Sequence, residues 1–270
     1  MNTAPARLRL IFESPELAAL PWEFLYDEGT NTFLANNKQT VVSRYIDVPL
    51  QKRDIKAASL PLKILLVIST PSDLASLDAT GEANLIQEAL KKHIEAGLIE
   101  LDLVTEATTR NIRRKLDEKA YNVFHFIGHG VFKDNKGQIA LVDENGKSKL
   151  LDDERFASFF LGDYKIGLVL LNCCKGATVS TNKTFAGTAP NLVQKGIAAV
   201  IAMQYTILDR TAKLFADEFY SYLAQGNPVD TAIQKTRNAI SQDVGLDRDF
   251  ATPVLYMRAK DGVILDFDEL

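Results

Sequence analysis

The amino-acid sequence predicts an α/β protein built on a mostly parallel sheet flanked by helices, and three observations predict it. From Leu62 onward short apolar runs alternate at a regular pace with amphipathic segments, as in βαβ units. The runs are near-continuous in β-branched residues and leucine, as in Lys63 to Ser69 (Lys-Ile-Leu-Leu-Val-Ile-Ser), which suits a strand covered on both faces. The composition, 46% hydrophobic and 24% charged over 270 residues with 9 Pro and 15 Gly, excludes a disordered or collagenous chain and is rich enough for a large core.

The first sixty residues differ from the rest. They offer a strand at Leu8 to Phe12, a short helix around Pro15 to Leu25 that holds the only Trp, and a hairpin-like pair, Thr32 to Leu34 and Thr40 to Arg44. Gln51 to Ser59 is polar and lysine-containing and makes the linker candidate. The chain therefore divides into residues 1–60, a strand, helix and hairpin segment packing on the core, and residues 61–270, the core itself. A strand so soon after Met1 suggests a module of a longer chain.

In the core, Thr80-Gly81-Glu82 precedes Leu85, Ile86, Ala89, Leu90 and Ile94, whose spacing fits one face of a helix. Ile99 to Val104 reads as the next strand, and Thr108 or Thr109 caps a helix carrying Ile112 and Leu116. Asn122 to Ile127 is a third strand, stopped by Gly128-His129-Gly130. Gln138 to Val142 and Ser148 to Leu151 form a hairpin through Asp143-Glu144-Asn145-Gly146, and Asp152 or Asp153 caps a short helix to Leu161. The strand Ile166 to Asn172 ends at Cys173 and Cys174. After a loop rich in Thr, Ser and Gly, Ala189 to Lys195 is helical and Ala198 to Met203 is a strand. Arg210 to Ala224 and Val229 to Val244 are helices, and Val254 to Arg258 closes the sheet at its other edge.

Charge and cysteine usage exclude several function classes. A net charge of −4 argues against a nucleic-acid or membrane-surface binder. The basic face Arg110, Arg113, Arg114 and Lys115 is followed by Asp117 and Glu118 and reads as a solvated helix surface. No apolar run approaches the ~18–20 residues of a membrane span, and the N-terminus lacks a secretory pattern, so cytoplasmic residence is expected. Two adjacent cysteines cannot make a disulfide framework, which favours a reducing compartment. No metal and no cofactor are expected: Cys173 and Cys174 lack the spacing of a zinc pair, and Gly128-x-Gly130 lacks the third glycine of a dinucleotide fingerprint.

Functional groups in open α/β sheets collect beyond the carboxyl ends of the strands. Two such ends here carry Phe126-Ile127-Gly128-His129-Gly130 and Leu171-Asn172-Cys173-Cys174-Lys175-Gly176. A His and a Cys brought to one sheet edge can act as base and nucleophile. His129 and Cys174 lie 45 residues apart. That is close to the ~50 described for caspases, and Asn172 to Gly176 lines up with their Gln-Ala-Cys-x-Gly signature.

Further stretches extend the likeness: Leu20-Pro21-Trp22-Glu23-Phe24-Leu25-Tyr26-Asp27, Val123-Phe124-His125 leading into the Gly-His-Gly, Val169-Leu170-Leu171 leading into the cysteines, and Asp209 followed by Phe219-Tyr220. On these residues the chain resembles the CHAT family, caspase-like proteins of the peptidase clan of separase, legumain, gingipain and metacaspase. The resemblance implies a caspase-like three-layer sandwich and a cysteine endopeptidase, with His129 as base and Cys174 as nucleophile. The backbone N–H groups of Gly130 and Cys174 would face the oxyanion, and Gly130 lets the backbone approach a bound carbonyl. Asp209 falls where separase-like members place an acid facing an arginine before the scissile bond, and Tyr205 stands at their Trp position. Cleavage after a basic residue is the implied specificity. Asp209 also precedes an amphipathic helix and so reads equally as its N-cap.

The remaining candidates read as structural. Cys173, where caspases have Ala, faces the other side and packs; His125 reads as a core histidine bonded to backbone, with support of the site as the alternative; His93, among Lys91, Lys92 and Glu95, faces solvent. Gly176 to Thr188, following the nucleophile, is the segment expected to move. The resemblance further implies a protein substrate, a sensor or repeat domain in the same or a partner chain, and a place in bacterial immunity or programmed cell death. The competing expectation is a catalytically silent or regulatory module that recruits or assembles with another protease. A different Cys-dependent acyl transferase is the third.

Overall fold

The computed structural model describes residues 5–46, 59–133, 136–161, 166–172, 188–205, 207–243, 248–259 and 262–263. In chain order its elements are β1 (Ala6–Leu10), α1 (Pro15–Ala18), β2 (Tyr26–Asp27), β3 (Thr32–Phe33), β4 (Thr40–Tyr45), β5 (Leu62–Ile68), α2 (Ala79–Glu95), β6 (Ile99–Val104), α3 (Thr109–Glu118) and β7 (Val123–Ile127). There follow β8 (Gly130–Lys133), β9 (Lys136–Val142), β10 (Ser148–Asp152), α4 (Asp153–Ala157), β11 (Leu168–Asn172), α5 (188–194), β12 (Ala199–Met203), α6 (Asp209–Ala224), α7 (Val229–Gln242) and β13 (Pro253–Met257).

Eight strands form the central sheet in the order β1-β4-β13-β12-β11-β7-β5-β6. Strands β12, β11, β7, β5 and β6 run one way, and β13, β4 and β1 run the other, so the antiparallel junction falls between β12 and β13. The continuous apolar runs serve both faces. Ile64, Leu66 and Ile68 of β5 pack with α2, α6 and α7, whereas Leu65 and Val67 pack with α3, α4 and α5. This is the mostly parallel, helix-flanked α/β sandwich that the sequence predicts.

Local chemistry sets the element ends. The carboxylate of Asp78 accepts from Gly81 N at 3.0 Å, Thr108 Oγ1 from Asn111 N at 3.1 Å, and Asp152 from Arg155 N at 2.8 Å, each meeting a backbone donor that the first helical turn leaves unpaired. The β9–β10 hairpin turns at Gly146, whose φ of +75° is the left-handed conformation that glycine adopts without strain.

Three expectations are corrected. β13 is no edge: it lies between β12 and β4, and β1 takes the outer position. The segments at Thr32 and Thr40 do not pair with each other, because β3 pairs with β2 while β4 joins the central sheet beside β1 and β13. The Pro15 to Leu25 helix is broken at Leu20 and Pro21 into α1 and a single 3-10 turn, Trp22–Phe24. Two strands were not anticipated: β2, which pairs with β3, and β8, which adds to the hairpin to make a small sheet ordered β10-β9-β8. Residues 51–58 of the linker candidate, and 176–187 of the segment expected to move, lie outside the described residues. Among the described residues no helix is long and apolar enough to cross a membrane.

Candidate active site

His129 stands two residues past β7, and its place follows from the turn before it. A Cβ on Gly128 would sit 2.7 Å from the Phe126 ring and 3.0 Å from Ser69 Cβ, so any larger residue there has to displace the buried Phe126 ring. The ring of His129 is buried, and its Nε2 lies 2.8 Å from the carbonyl oxygen of Ala75. A carbonyl only accepts, so Nε2 carries the proton and Nδ1 keeps its lone pair. Burial pushes the imidazole pKa below its ordinary 6.5, and the Ala75 carbonyl opposes this in part. The result is a neutral imidazole of defined tautomer, as a general base requires.

The backbone of His129 is held as well. Its carbonyl accepts from Ala140 N at 3.0 Å, and Ser69 Oγ donates to the carbonyl of Ala140 at 2.7 Å. The loop that carries Ala75 is fastened to the β9–β10 hairpin, where Ser148 N and Oγ donate to the two oxygens of Asp73 at 2.7 and 2.8 Å. Those bonds hold the Asp73 carboxyl below its ordinary pKa, the Ser148 hydroxyl contributing most.

Next to β7 runs β11, with Asn172 opposite Ile127 in the parallel register. The carbonyl of Asn172 accepts from Gly128 N at 3.2 Å, and its Nδ2 donates to the carboxylate of Glu82 in the first turn of α2. Cys173 and Cys174 lie outside the described residues. In the chain Cys174 is two residues past Asn172, as His129 is two past Ile127. Gly130 is buried and opens β8 opposite Ile139.

On the other side of β11 is β12, and beyond its end come Tyr205 and Asp209. Tyr205 is 40% exposed and its ring centroid lies 6.3 Å from that of Phe24; burial of its remainder and the charge of Glu23 raise the phenol pKa. Asp209 is exposed in the first turn of α6, whose N-cap is Leu208. An acid in that turn is favoured by the helix dipole.

Two other histidines are placed. His93 is buried, with Nε2 3.3 Å from Asp217 on α6, which corrects the solvent-facing expectation; packing of α2 on α6 covers it. His125 lies in the core, but its partner is a side chain and not the expected backbone: Nδ1 is 2.8 Å from the Tyr220 hydroxyl, while Nε2 has no hydrogen-bond partner among the described residues. Burial pushes its pKa down to about 3. Among the described residues no three His, Cys, Asp or Glu side chains are grouped to hold a metal ion. Sequence reasoning missed Ala75 and Glu82: a backbone carbonyl has no residue signature, and Glu82 reads only as a favourable acid in a first helical turn.

The CHAT domain family matches residues 1–255 of this chain. Among solved structures, gingipain R, an Arg specific cysteine proteinase, is similar with a TM-score of 0.53 and 10% identity, covering 96% of this chain and 64% of that one. The Drosophila initiator caspase Dronc gives 0.49 and 10% identity over 83% of this chain and 91% of its own. Separase of Saccharomyces cerevisiae, in its complex with securin, gives 0.49 and 17% identity over 88% of this chain but 14% of its own, so the present chain spans a small part of that protein. No curated protein matches in sequence. The chain belongs to the CHAT domain family, and its caspase-like α/β fold is one that the cysteine proteinase gingipain R shares.

Proposed function

We propose that this chain is a cysteine endopeptidase module whose dyad is His129 and Cys174 and which cuts after a basic residue. One observation carries the reading. His129, two residues past β7, is buried, neutral and held through Nε2 with the lone pair on Nδ1, and β7 pairs with β11 so that Ile127 lies opposite Asn172, the residue two before Cys174 in the chain. In the mechanism, Nδ1 takes the thiol proton and the thiolate attacks the substrate carbonyl. The N–H groups of Gly130 and Cys174 face the resulting oxyanion. The imidazolium, disfavoured by burial, passes its proton to the leaving amine, and water then hydrolyses the thioester with His129 again as base.

The basic preference rests on Asp209, an exposed carboxylate beyond the end of β12, with Tyr205 before it as an aromatic wall; a guanidinium suits both. A protein substrate, a controlling sensor or repeat domain, and a role in defence or cell death complete the proposal. The reducing cytoplasm keeps such a thiol usable.

The test is cleavage of fluorogenic peptidyl amides ending in Arg, Lys or Asp by wild type, Cys174→Ala and His129→Ala. Each variant is expected to stay folded by circular dichroism and to lose at least about a thousandfold in kcat/KM. Wild-type turnover by either variant overturns the dyad. Equal turnover of basic and acidic peptides, unchanged in Asp209→Ala, overturns the specificity. Absence of any reaction between Cys174 and a peptidyl electrophile instead supports a silent module that recruits another protease.

A further inference from the structure

We infer that Glu82 is a positioning residue for the dyad, holding through Asn172 the strand end that leads to Cys174 in register with the one that carries His129. The inference rests on the peptidase reading above. Asn172 is the last residue of β11 and is 3% exposed. It is bonded in two directions: its carbonyl takes the N–H of Gly128, directly before His129, and its side-chain Nδ2 donates to Oε1 of Glu82. Asn172 Oδ1 is buried and has no hydrogen-bond partner among the described residues. The amide is therefore oriented by its Glu82 bond, and an apolar residue at 172 would fill the space but remove that bond between the two elements.

Glu82 is 8% exposed. Burial of a carboxylate is costly, and a helix surface offers solvent as the cheap alternative. Here the acid points inward and accepts from another element. The stretch that presents it is rigid: Glu82 N donates to the carbonyl of Asp78 at 3.0 Å, and the Asp78 side chain caps Gly81 N. Seven residues before Glu82 is Ala75, whose carbonyl holds the His129 ring. A single stretch, Ala75 to Glu82, thus grips the base with one end and the strand leading to the nucleophile with the other. A slip of either half by an ångström suffices to cost on the order of a hundredfold in rate.

The experiment exchanges donor and acceptor and follows kcat and KM on a peptidyl-arginine amide, with the rate of Cys174 alkylation by iodoacetamide read by peptide mapping. Glu82→Ala is expected to lower kcat by about 10- to 100-fold with KM within about twofold, whereas Glu82→Gln, which still offers an acceptor, stays within about threefold. Asn172→Asp sets two carboxylates face to face and is expected to lose as much as Glu82→Ala. The double variant Glu82→Gln, Asn172→Asp rebuilds the bond with its polarity reversed and is expected to recover to within about threefold of wild type. A residue that only stabilised the fold would lower the unfolding temperature while leaving kcat of the folded protein intact. Wild-type kcat in Glu82→Ala, or a double variant no better than Asn172→Asp, overturns the inference while the peptidase reading stands. If Glu82→Ala does not fold, the reversed pair decides. A wild type with no Cys174-dependent turnover overturns the peptidase reading, and this inference with it.

Discussion

His125 and His129 are four residues apart, and burial holds both neutral, to different ends. His129 carries its lone pair on Nδ1 beyond the strand end, and burial lets that base form persist below the ordinary histidine range. The acid limb of kcat/KM is accordingly expected to have its midpoint below pH 6.5; a pH profile with a midpoint above that value contradicts the burial effect. His125 sits among apolar side chains, and its consequence is for stability. The native state keeps it neutral down to about pH 3, while the unfolded chain protonates it near 6.5, so unfolding takes up a proton below pH 6.5. Its contribution is complete above that pH and is lost as pH falls toward 3. Between pH 7 and 5 the loss from this residue is about 2 kcal/mol. Denaturant unfolding should show that loss in wild type and a shallower one in His125→Gln.

At the scale of elements, the turn Trp22–Phe24 is bound to the sheet by one buried ion pair. Arg44 of β4 donates to both oxygens of Glu23, at 3.1 and 2.6 Å, and to the carbonyls of Ala18 and Leu20, at 2.6 and 3.1 Å. Its guanidinium carbon lies 5.5 Å from the centroid of the Tyr256 ring. Gln204, directly before Tyr205, donates to the same Glu23 at 3.2 Å, so the Trp22–Phe24 turn reaches the edge where substrate is proposed to bind. Glu23→Ala strands a buried cation and is expected to cost roughly 3–5 kcal/mol in denaturant unfolding; Glu23→Ala with Arg44→Met should recover much of it. A single variant within 1 kcal/mol of wild type, on the order of a surface pair, contradicts this. The Trp-Glu motif was legible in the sequence. The task of Glu23 was not, because its partner lies 21 residues away on another element.

At the scale of the molecule, the sheet is continuous across the 1–60 and 61–270 division. β13 pairs with β12 on one side and with β4 on the other. Arg237 of α7, fully buried, donates to the carbonyls of Pro253 in β13 at 2.7 and 3.2 Å and of Val42 in β4 at 3.0 Å. A chain beginning at Pro61 would leave β13 with an open edge and Arg237 without its Val42 acceptor. It is expected to lose the near-ultraviolet circular dichroism and the cooperative unfolding of the full chain. Cooperative unfolding at the full-length midpoint would show that residues 61–270 fold alone.

The sequence by itself determined most strands and helices of the core, narrowed two helix caps to Thr108 or Thr109 and Asp152 or Asp153, and specified the β9–β10 hairpin and the two strand ends that lead to His129 and to the cysteines. These are local properties, since apolar periodicity, a capping oxygen and an Asn-Gly turn act within a few residues. Only the tertiary structure decided that β13 is interior, that β2 and β8 exist, that His93 is buried, and that the Ala75 carbonyl meets His129 while Glu82 meets Asn172. Strand order is chosen by pairing between distant segments, a carbonyl looks the same at every residue, and the burial of an acid depends on what packs over it. The chemistry-bearing side chains could therefore be named from the sequence, whereas the groups that aim them emerge only when the chain closes on itself.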